Sequence, residues 1–222
     1  MPSSTDPIDT VDVSPPTTIS IGFPPPVSAG DTRFISSVTN LVNLVYGNAE
    51  GDLFAKGYQR TTPEQVTSLV KEGHLACAHL NTTDELVGCM VIQEASYLGD
   101  DDSEHPEKGN GEKTARVGQL SLLALDPSHQ GLGLGRTMVL FAEEHCRATL
   151  RLDTMRLELL VPKSRGNALK ERMQAWYLRL GYEAVRLGRY GDEYPHLEKL
   201  LAGPAEYRIF EKSLKVTGVE EE

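Results

Sequence analysis

Cysteine is scarce in this chain of 222 residues, which contains three: Cys77, Cys89 and Cys146. An odd number of cysteines without metal-ligand spacing argues against both a disulfide framework and a bound metal. All three lie in apolar stretches, which favours a role as small core residues over a role in catalysis. The sequence therefore predicts a reduced, cytoplasmic protein that holds no metal.

Basic residues are also in the minority. The chain has 22 lysines and arginines against 32 aspartates and glutamates, so its formal net charge is −10. Because nucleic-acid binding needs clustered lysine and arginine, and no basic block is present, we expect no nucleic-acid partner. An acidic surface would suit a cationic substrate, but acidity is also the usual means of staying soluble. Composition alone leaves those two interpretations open.

Long apolar runs and a secretion signal are missing too. No run is long enough to cross a bilayer, and the N-terminus is polar and proline-rich, so we expect no membrane association. A length of 222 residues suits one domain with appendages. The composition predicts a flexible tail over residues 1–16, one domain over residues 17–215 and an acidic tail over residues 216–222.

What the chain does contain is a distinctive stretch over residues 119–145. Residues 120–125 form an apolar run that predicts a buried strand, which Pro127 ends. Residues 130–136 are rich in glycine and lead into an amphipathic helical pattern. The first amides of a helix have no partner within the helix, and glycine lets a ligand approach the backbone closely. This strand–turn–helix unit is typical of a phosphate-binding site.

Two common phosphate-binding patterns do not fit this turn. A Walker loop ends in Gly-Lys-Ser/Thr, whereas Gly135 is followed by Arg136 and Thr137. A dinucleotide-binding turn has the spacing G-x-G-x-x-G, whereas Gly131, Gly133 and Gly135 are evenly spaced. Both interpretations are therefore disfavoured.

A third pattern fits at every position: Q/R-x-x-G-x-G/A after a strand that ends apolar-Ala-apolar. Gln130, Gly133 and Gly135 follow the Leu-Ala-Leu strand end at residues 123–125. In this respect the chain resembles the acyl-CoA pyrophosphate loop of the GNAT superfamily of N-acyltransferases. An ordinary glycine-rich turn before a helix is the remaining alternative.

The predicted order of elements extends the resemblance to most of the chain. Periodicity and turn signals predict the order β-α-α-β-β-β-α-β-α-β-β over residues 17–214, which is similar to the GNAT order throughout. Residues 176–182 resemble the family's second signature, a tyrosine on the last long helix followed by Leu-Gly-aromatic. The resemblance implies an α/β (α+β) GNAT fold, with a single mixed, mostly antiparallel sheet of about seven strands, a splayed central parallel pair and helices on both faces.

Three connecting segments are predicted to be loops, which carry specificity more often than the elements they join. The first covers residues 46–61, of which residues 46–52 are the loop directly after the first long helix. The second covers the acidic residues 99–113. The third covers residues 188–204 and includes a short helix around residues 197–201.

The resemblance implies acetyl-CoA (coenzyme A) as the co-substrate, and no metal. Pantetheine would lie between the splayed strands and pair with their backbone, and the amides of the turn would hold the pyrophosphate. The implied coenzyme-binding residues are Leu123, Ala124, Leu125, Gln130, Gly131, Leu132, Gly133, Leu134, Gly135 and Arg136. A neutral amine would then attack the thioester directly, without a covalent enzyme intermediate.

The reaction also needs an acid and a base. Tyr177 matches the family's general acid near the coenzyme sulfur, although a core tyrosine with its hydroxyl bonded elsewhere would give the same pattern. Gln119 stands where some members carry a glutamate that acts as the general base, and an amide cannot accept a proton at neutral pH. Four other residues could act as a base through water, although each is more often structural: Glu94, Glu158, His79 and His196.

Lys170 is a second departure from the family pattern. Members often carry an asparagine seven residues before the acidic tyrosine, where it contacts pantetheine, and this chain has Lys170 at that place. Asn167 is the nearest residue that could take over the contact.

The leading hypothesis is acetyl transfer from acetyl-CoA to the primary amine of a small molecule or a polyamine-like compound. Residues 41–46, with Glu50 and Arg60 downstream, are similar to GNAT members that act on small amines. Acylation of a peptide substrate, at a protein N-terminus or lysine, is the alternative within the same fold. A non-catalytic acyl-CoA sensor is the alternative from another class, favoured by Gln119 and the missing asparagine. The acyl chain length and the choice between monomer and homodimer stay open.

Overall fold

The computed structural model describes residues 18–94, 116–163 and 167–215. Within these residues seven strands form one sheet: β1 (Ile19–Gly22), β2 (Leu75–Leu80), β3 (Leu86–Glu94), β4 (Val117–Leu125), β5 (Thr154–Pro162), β6 (Glu183–Gly188) and β7 (Ala205–Ser213). The helices are α1 (Thr32–Glu50), α2 (Pro63–Lys71), α3 (Leu134–Glu144), α4 (Ala168–Arg179), α5 (Tyr190–Glu193) and α6 (Pro195–Glu198). Short 3-10 turns cover Pro26–Gly30 and Pro127–His129, and a π-helical turn covers His145–Thr149.

The sheet is mixed and mostly antiparallel. Its strand order is β1-β2-β3-β4-β5-β7-β6, and β4 with β5 forms the parallel pair. These two strands are joined over three positions, from Val117 opposite Thr154 to Gln119 opposite Arg156, and then diverge. The predicted element order, sheet type and splayed central pair are confirmed.

A bulge in β4 lies just beyond the point where its pairing with β5 ends at Gln119. Two residues of β4, Leu122 and Leu123, lie opposite the single residue Met90 of β3. Leu122 has a φ of 49°, in the left-handed region that costs a leucine roughly 1–2 kcal/mol. Because a bulge bends its strand and increases the local twist, this one turns β4 away from β5.

Helices cover both faces of the sheet, as predicted. On one face, Met138 of α3 lies in a core cluster with Met90. On the other face, Val38 of α1 and Val66 of α2 lie in a cluster with Cys89. Cys89 and Met90 contribute to different cores because successive strand residues point to opposite faces. All three cysteines are free and buried, which agrees with their predicted role as core residues.

The first long helix, α1, extends further than the sequence predicts. It runs to Glu50, whereas residues 46–52 are predicted to be a loop, largely because Gly47 has low helix propensity. A tertiary contact overrides that propensity, since the Glu50 carboxylate accepts a hydrogen bond from Lys170 of α4 at 2.7 Å. The loop prediction is therefore wrong for residues 46–50.

The remaining predicted segments lie mostly outside the sheet. The short helix predicted around residues 197–201 forms earlier, as α5 and α6, and Pro195 occupies the first position of α6, where its missing N–H is harmless. The predicted acidic loop over residues 99–113 and the two predicted tails lie outside the described residues. Among the residues that the structure does describe, no helix is both long and apolar enough to span a membrane.

Candidate active site

The glycine-rich turn after β4 has the backbone geometry of an anion site. Gly131 and Gly133 have φ values of 82° and 80°, which residues with a side chain adopt only with strain. Gly133 is the N-cap of α3 and offers no side-chain acceptor to the first amides of that helix. Those amides are therefore left for a ligand, and the helix dipole favours a negative one.

Asp126 fixes the entrance to this turn. Its backbone N–H donates to the carbonyl of Val87 at 2.8 Å. Its carboxylate accepts hydrogen bonds from the hydroxyl and the backbone N–H of Ser128. These two hydrogen bonds hold the pKa of Asp126 below its usual value. The turn is thus ordered by its own side chains, independently of any ligand.

A cleft of about 820 Å³ extends from the turn between the two splayed strands. Seven of the ten predicted coenzyme-binding residues line it: Leu123, Leu125, Gln130, Gly131, Gly133, Gly135 and Arg136. The side chains of the other three point elsewhere, because Ala124 and Leu134 are buried and Leu132 is exposed to solvent. A contact from these three would come from the backbone, which is how such a turn holds phosphate.

Trp176 and Tyr177 of α4 form another part of the cleft wall. A Cβ atom at Gly135 would lie 3.7 Å from the Trp176 ring, so the indole packs against the turn. The Tyr177 ring centroid lies 5.4 Å from that of Trp176 and 5.7 Å from that of Phe210. Burial raises the pKa of Tyr177, so its hydroxyl keeps its proton at neutral pH. A proton donor needs to be in that state.

Glu158 lines the same cleft, on β5 just beyond the point where the strands part. Gln119 Nε2 donates to Glu158 Oε1 at 2.8 Å, and the Tyr194 hydroxyl donates to Glu158 Oε2 at 2.8 Å. Burial raises the pKa of Glu158, which brings this carboxylate closer to the range useful for a general base. Gln119 cannot itself accept a proton, but its hydrogen bond orients Glu158, which can.

The three other predicted base candidates lie away from the cleft wall. Glu94 is exposed and pairs with Arg116 at 2.9 Å. His79 lies on β2 and His196 on α6, and neither belongs to the lining of the cleft. Sequence alone could not rank the four candidates, because the register of β4 and β5 decides which side chain meets Gln119.

Lys170 has a different role from the asparagine that the resemblance implies at its position. Its side chain is 1% exposed, and its Nζ donates to Glu50 Oε1 at 2.7 Å, which ties α4 to α1. Asn167 caps α4, because its side-chain oxygen accepts from the amides of Leu169 and Lys170. Both residues therefore position α4, and with it Tyr177.

Tyrosines form much of the cleft wall on the side of Glu158. Sequence reasoning did not assign them a role, because they come from three separate segments of the chain and only Tyr190 and Tyr194 are close in sequence. They are Tyr46, Tyr190, Tyr194 and Tyr207. The Tyr207 hydroxyl already has a hydrogen-bond acceptor within the protein, because it donates to Glu193 at 3.0 Å.

The splayed parallel pair, the glycine turn at a helix start and the cleft that reaches a buried tyrosine define the acyl-CoA-dependent acyltransferase class. The model of the acetyltransferase (GNAT) family matches residues 46–182, which is more than half of the chain. The chain therefore belongs to the GNAT acetyltransferase family, and it is an acyl-CoA-dependent N-acyltransferase. A search of curated protein sequences gives no significant match.

Solved structures share the fold over most of their length. A mosquito arylalkylamine N-acetyltransferase-like protein (like 5b) is 15% identical, with a TM-score of 0.58 over 88% of this chain and 100% of that one. An aminoglycoside 6′-N-acetyltransferase complexed with coenzyme A is 14% identical, with a TM-score of 0.57 over 90% and 99%. A spermidine N-acetyltransferase from Vibrio cholerae is 12% identical, with a TM-score of 0.53 over 88% and 94%. At these identities the likeness establishes the fold.

Proposed function

We propose that the protein transfers an acetyl group from acetyl-CoA to a primary amine, by direct attack within a ternary complex. One observation carries the proposal: a single cleft is lined by the glycine turn, by Tyr177 and by Glu158. The turn supplies an anion site, Tyr177 a proton donor and Glu158 a proton acceptor. Transfer from a CoA thioester to an amine is accelerated by a proton donor and a proton acceptor, and the anion site holds the coenzyme in place.

The coenzyme side of the cleft suits an extended chain that ends in a pyrophosphate. Beyond Gln119 and Arg156, the facing edges of β4 and β5 are no longer paired with each other. Their backbone groups can therefore pair with the amides of pantetheine, as with an added strand. The amides of residues 131–136 would meet the pyrophosphate, and the Arg136 guanidinium would add a positive charge there.

In the proposed reaction, Glu158 takes a proton from the acceptor ammonium and leaves a neutral amine. The amine nitrogen then bonds to the thioester carbonyl carbon, and a backbone amide of the splayed strand stabilises the resulting oxyanion. The C–S bond breaks as the product amide forms. Tyr177 gives its proton to the departing sulfur and regains one from the nitrogen, while Glu158 releases its proton to solvent.

The acceptor is proposed to be a small molecule. The cleft wall near Glu158 combines tyrosine rings with carboxylates, and both attract a primary ammonium group. Of four structures of similar fold, three are named as an arylalkylamine N-acetyltransferase-like protein, an aminoglycoside acetyltransferase and a spermidine acetyltransferase, and the fourth is the NatC complex bound to Gag peptide and CoA. The first three names support the proposal at the level of the fold.

Turnover is tested by thiol release from acetyl-CoA with a panel of primary amines, together with the mass of the product. Tyr177→Phe is expected to lower kcat by about 10²-fold or more, with coenzyme affinity near that of the wild type. Tyr182→Phe is the matched control, because Tyr182 is also buried but lies outside the cleft wall. Coenzyme binding without turnover on any amine would identify a sensor and refute the proposal. Turnover that Tyr177→Phe leaves unchanged would instead refute the role of Tyr177 as the proton donor.

A further inference from the structure

A second, smaller cavity adjoins the cleft at the C-terminal end of α1. It measures about 160 Å³ and shares Tyr46, Glu50 and Arg60 with the cleft wall. Lys56, Tyr58 and five apolar or glycine residues line its remaining part. Because one water molecule takes up about 30 Å³ of liquid, the cavity has room for a small polar group but not for a coenzyme.

Arg60 brings a positive charge to the junction of the two cavities. Its guanidinium is half-buried and lies 5.3 Å from the centre of the Tyr46 ring. Among residues 18–94, 116–163 and 167–215, no carboxylate lies within ion-pair distance of Arg60. The Glu50 carboxylate shares both cavities with Arg60 and helps raise its pKa, but it is bound to Lys170 at 2.7 Å. A charge removed from water is unfavourable without a counter-charge, which an anionic ligand would supply.

The Tyr58 hydroxyl is a second donor in the same cavity. Its oxygen is buried and, within the part of the chain that the structure describes, forms no hydrogen bond of normal geometry, although Arg60 lies close enough to affect its pKa. Buried polar groups are normally hydrogen-bonded, so an exception calls for an explanation. A carboxylate accepts hydrogen bonds on both oxygens, and could accept from a guanidinium and a phenol at once.

Arg60 also acts on Tyr194, the residue whose hydroxyl holds the proposed proton acceptor. Burial and the Glu158 carboxylate raise the pKa of Tyr194, and the positive charge of Arg60 opposes that rise. The Tyr194 hydroxyl in turn donates to Glu158 at 2.8 Å. Arg60 and Glu158 both line the cleft and both act on Tyr194, so the cation and the carboxylate face the same cavity.

We propose that the acceptor is an amine that also carries a carboxylate, which Arg60 and the Tyr58 hydroxyl bind while the ammonium group meets Glu158. The substrate class is that of amino acids, including those with the amine remote from the carboxylate. This inference depends on the proposed acetyl transfer, and it names the substrate of that reaction. It disfavours polyamines, because Arg60 would repel a second ammonium group.

The test compares acceptors that differ by one carboxylate. Thiol release from acetyl-CoA is measured for tyrosine against tyramine, phenylalanine against phenethylamine, and 4-aminobutyrate against butylamine. In the wild-type protein, the carboxylate-bearing member of at least one pair is expected to have a kcat/KM about 10- to 100-fold higher. Arg60→Met is expected to abolish that preference by raising KM for the amino acid. The control is Arg33→Met, an exposed arginine in the first turn of α1.

Tyr58→Phe separates ligand binding from folding. Because the hydroxyl forms no hydrogen bond of normal geometry among the described residues, its removal is expected to leave Tm unchanged or raise it. The same change is expected to raise KM for the preferred amino acid by about 3- to 10-fold. An unchanged KM would remove Tyr58 from the proposed site.

Two results would overturn the inference and leave the acetyl transfer intact. The first is equal kcat/KM within every pair, in both the wild type and Arg60→Met. The second is a selective effect of Arg60→Met on transfer from succinyl-CoA to tyramine, because the bound carboxylate would then belong to the acyl group. Absence of thiol release with every amine would instead overturn the proposed function and this inference together.

Discussion

At the scale of single residues, Glu158 shows two opposing influences on one carboxyl group. The hydrogen bonds from Gln119 and Tyr194 stabilise its charged form, whereas burial stabilises its neutral form. Burial dominates, because the pKa of Glu158 is raised. The sequence offered Glu158 and Glu94 as equal candidates, since both are glutamates on predicted apolar strands. The strand register, which the sequence does not reveal, places one in the cleft and the other in solvent.

We expect Glu158→Gln to lower kcat by about 10²- to 10⁴-fold at neutral pH, because the amide cannot take the proton of the acceptor ammonium. The deficit is expected to shrink as the pH approaches about 10, where an alkylammonium of ordinary pKa loses its proton to solvent. Rate–pH profiles of the two proteins, with one acceptor, measure this.

Glu94→Gln is the matched control, because Glu94 is exposed and lies outside the cleft wall.

The folded-state pKa of Glu158 is raised above its unfolded value, so the stability contributed by this group is present below the unfolded pKa. It is lost as the pH rises through the folded pKa. Glu158→Gln is therefore expected to keep or raise Tm at neutral pH. If the ratio of kcat between the wild type and Glu158→Gln stayed constant with pH, Glu158 would not be the proton acceptor.

At the scale of elements, the turn between β4 and α3 was readable from the sequence, and the end of α1 was not. The turn depends on local chemistry, since Gly131 and Gly133 stand where the backbone takes positive φ. The end of α1 depends on the contact of Glu50 with Lys170, which lies 120 positions away in the chain. Local propensity cannot report a contact over that distance.

The role of the turn can be separated from backbone strain. Gly133→Ala is expected to weaken coenzyme A binding by about tenfold or more, because an alanine at a φ of 80° shifts the amides that would hold the pyrophosphate. Gly73→Ala is the matched control: Gly73 has a φ of 71°, an added Cβ meets nothing within 4 Å, and the residue follows α2 away from the cleft.

Each variant is expected to lose about 1 kcal/mol of unfolding free energy, because each forces a side chain into the left-handed region. Calorimetric titration with coenzyme A should therefore show different affinities in two variants of similar stability. Equal affinities in the two variants would show that the turn does not bind the coenzyme.

At the scale of the whole molecule, the element order, the mixed sheet and its splayed pair followed from hydrophobic periodicity and one resemblance. The sequence did assign specificity to the segment after α1 and to the segment between β6 and β7. It did not show how these segments combine with α1 to form the acceptor side of the cleft. Arg60 and Tyr194 come from those connections, and no period in the sequence brings them together. Cytoplasmic location, independence from metal, and a monomer or homodimer state stay predictions.

The ion pair between Lys170 and Glu50 connects the two helices that flank the cleft. Lys170→Met would leave the Glu50 carboxylate buried without its partner, so we expect a loss of about 3–5 kcal/mol in the free energy of unfolding. The double variant Lys170→Met/Glu50→Gln is expected to recover most of that loss. Urea denaturation of the two single variants and the double variant measures the coupling, and strictly additive effects would show that the pair does not hold α4 to α1.

The strained leucine at position 122 also bears on how the fold could become more robust. If Leu122 were deleted, β4 would straighten, and β5 could then pair with β4 along its whole length. The shortened protein would gain hydrogen bonds and heat resistance, but it would have no gap left for a thioester to enter. The bulge therefore costs the fold backbone hydrogen bonds and adds strain, and in return leaves the gap in which a thioester can lie.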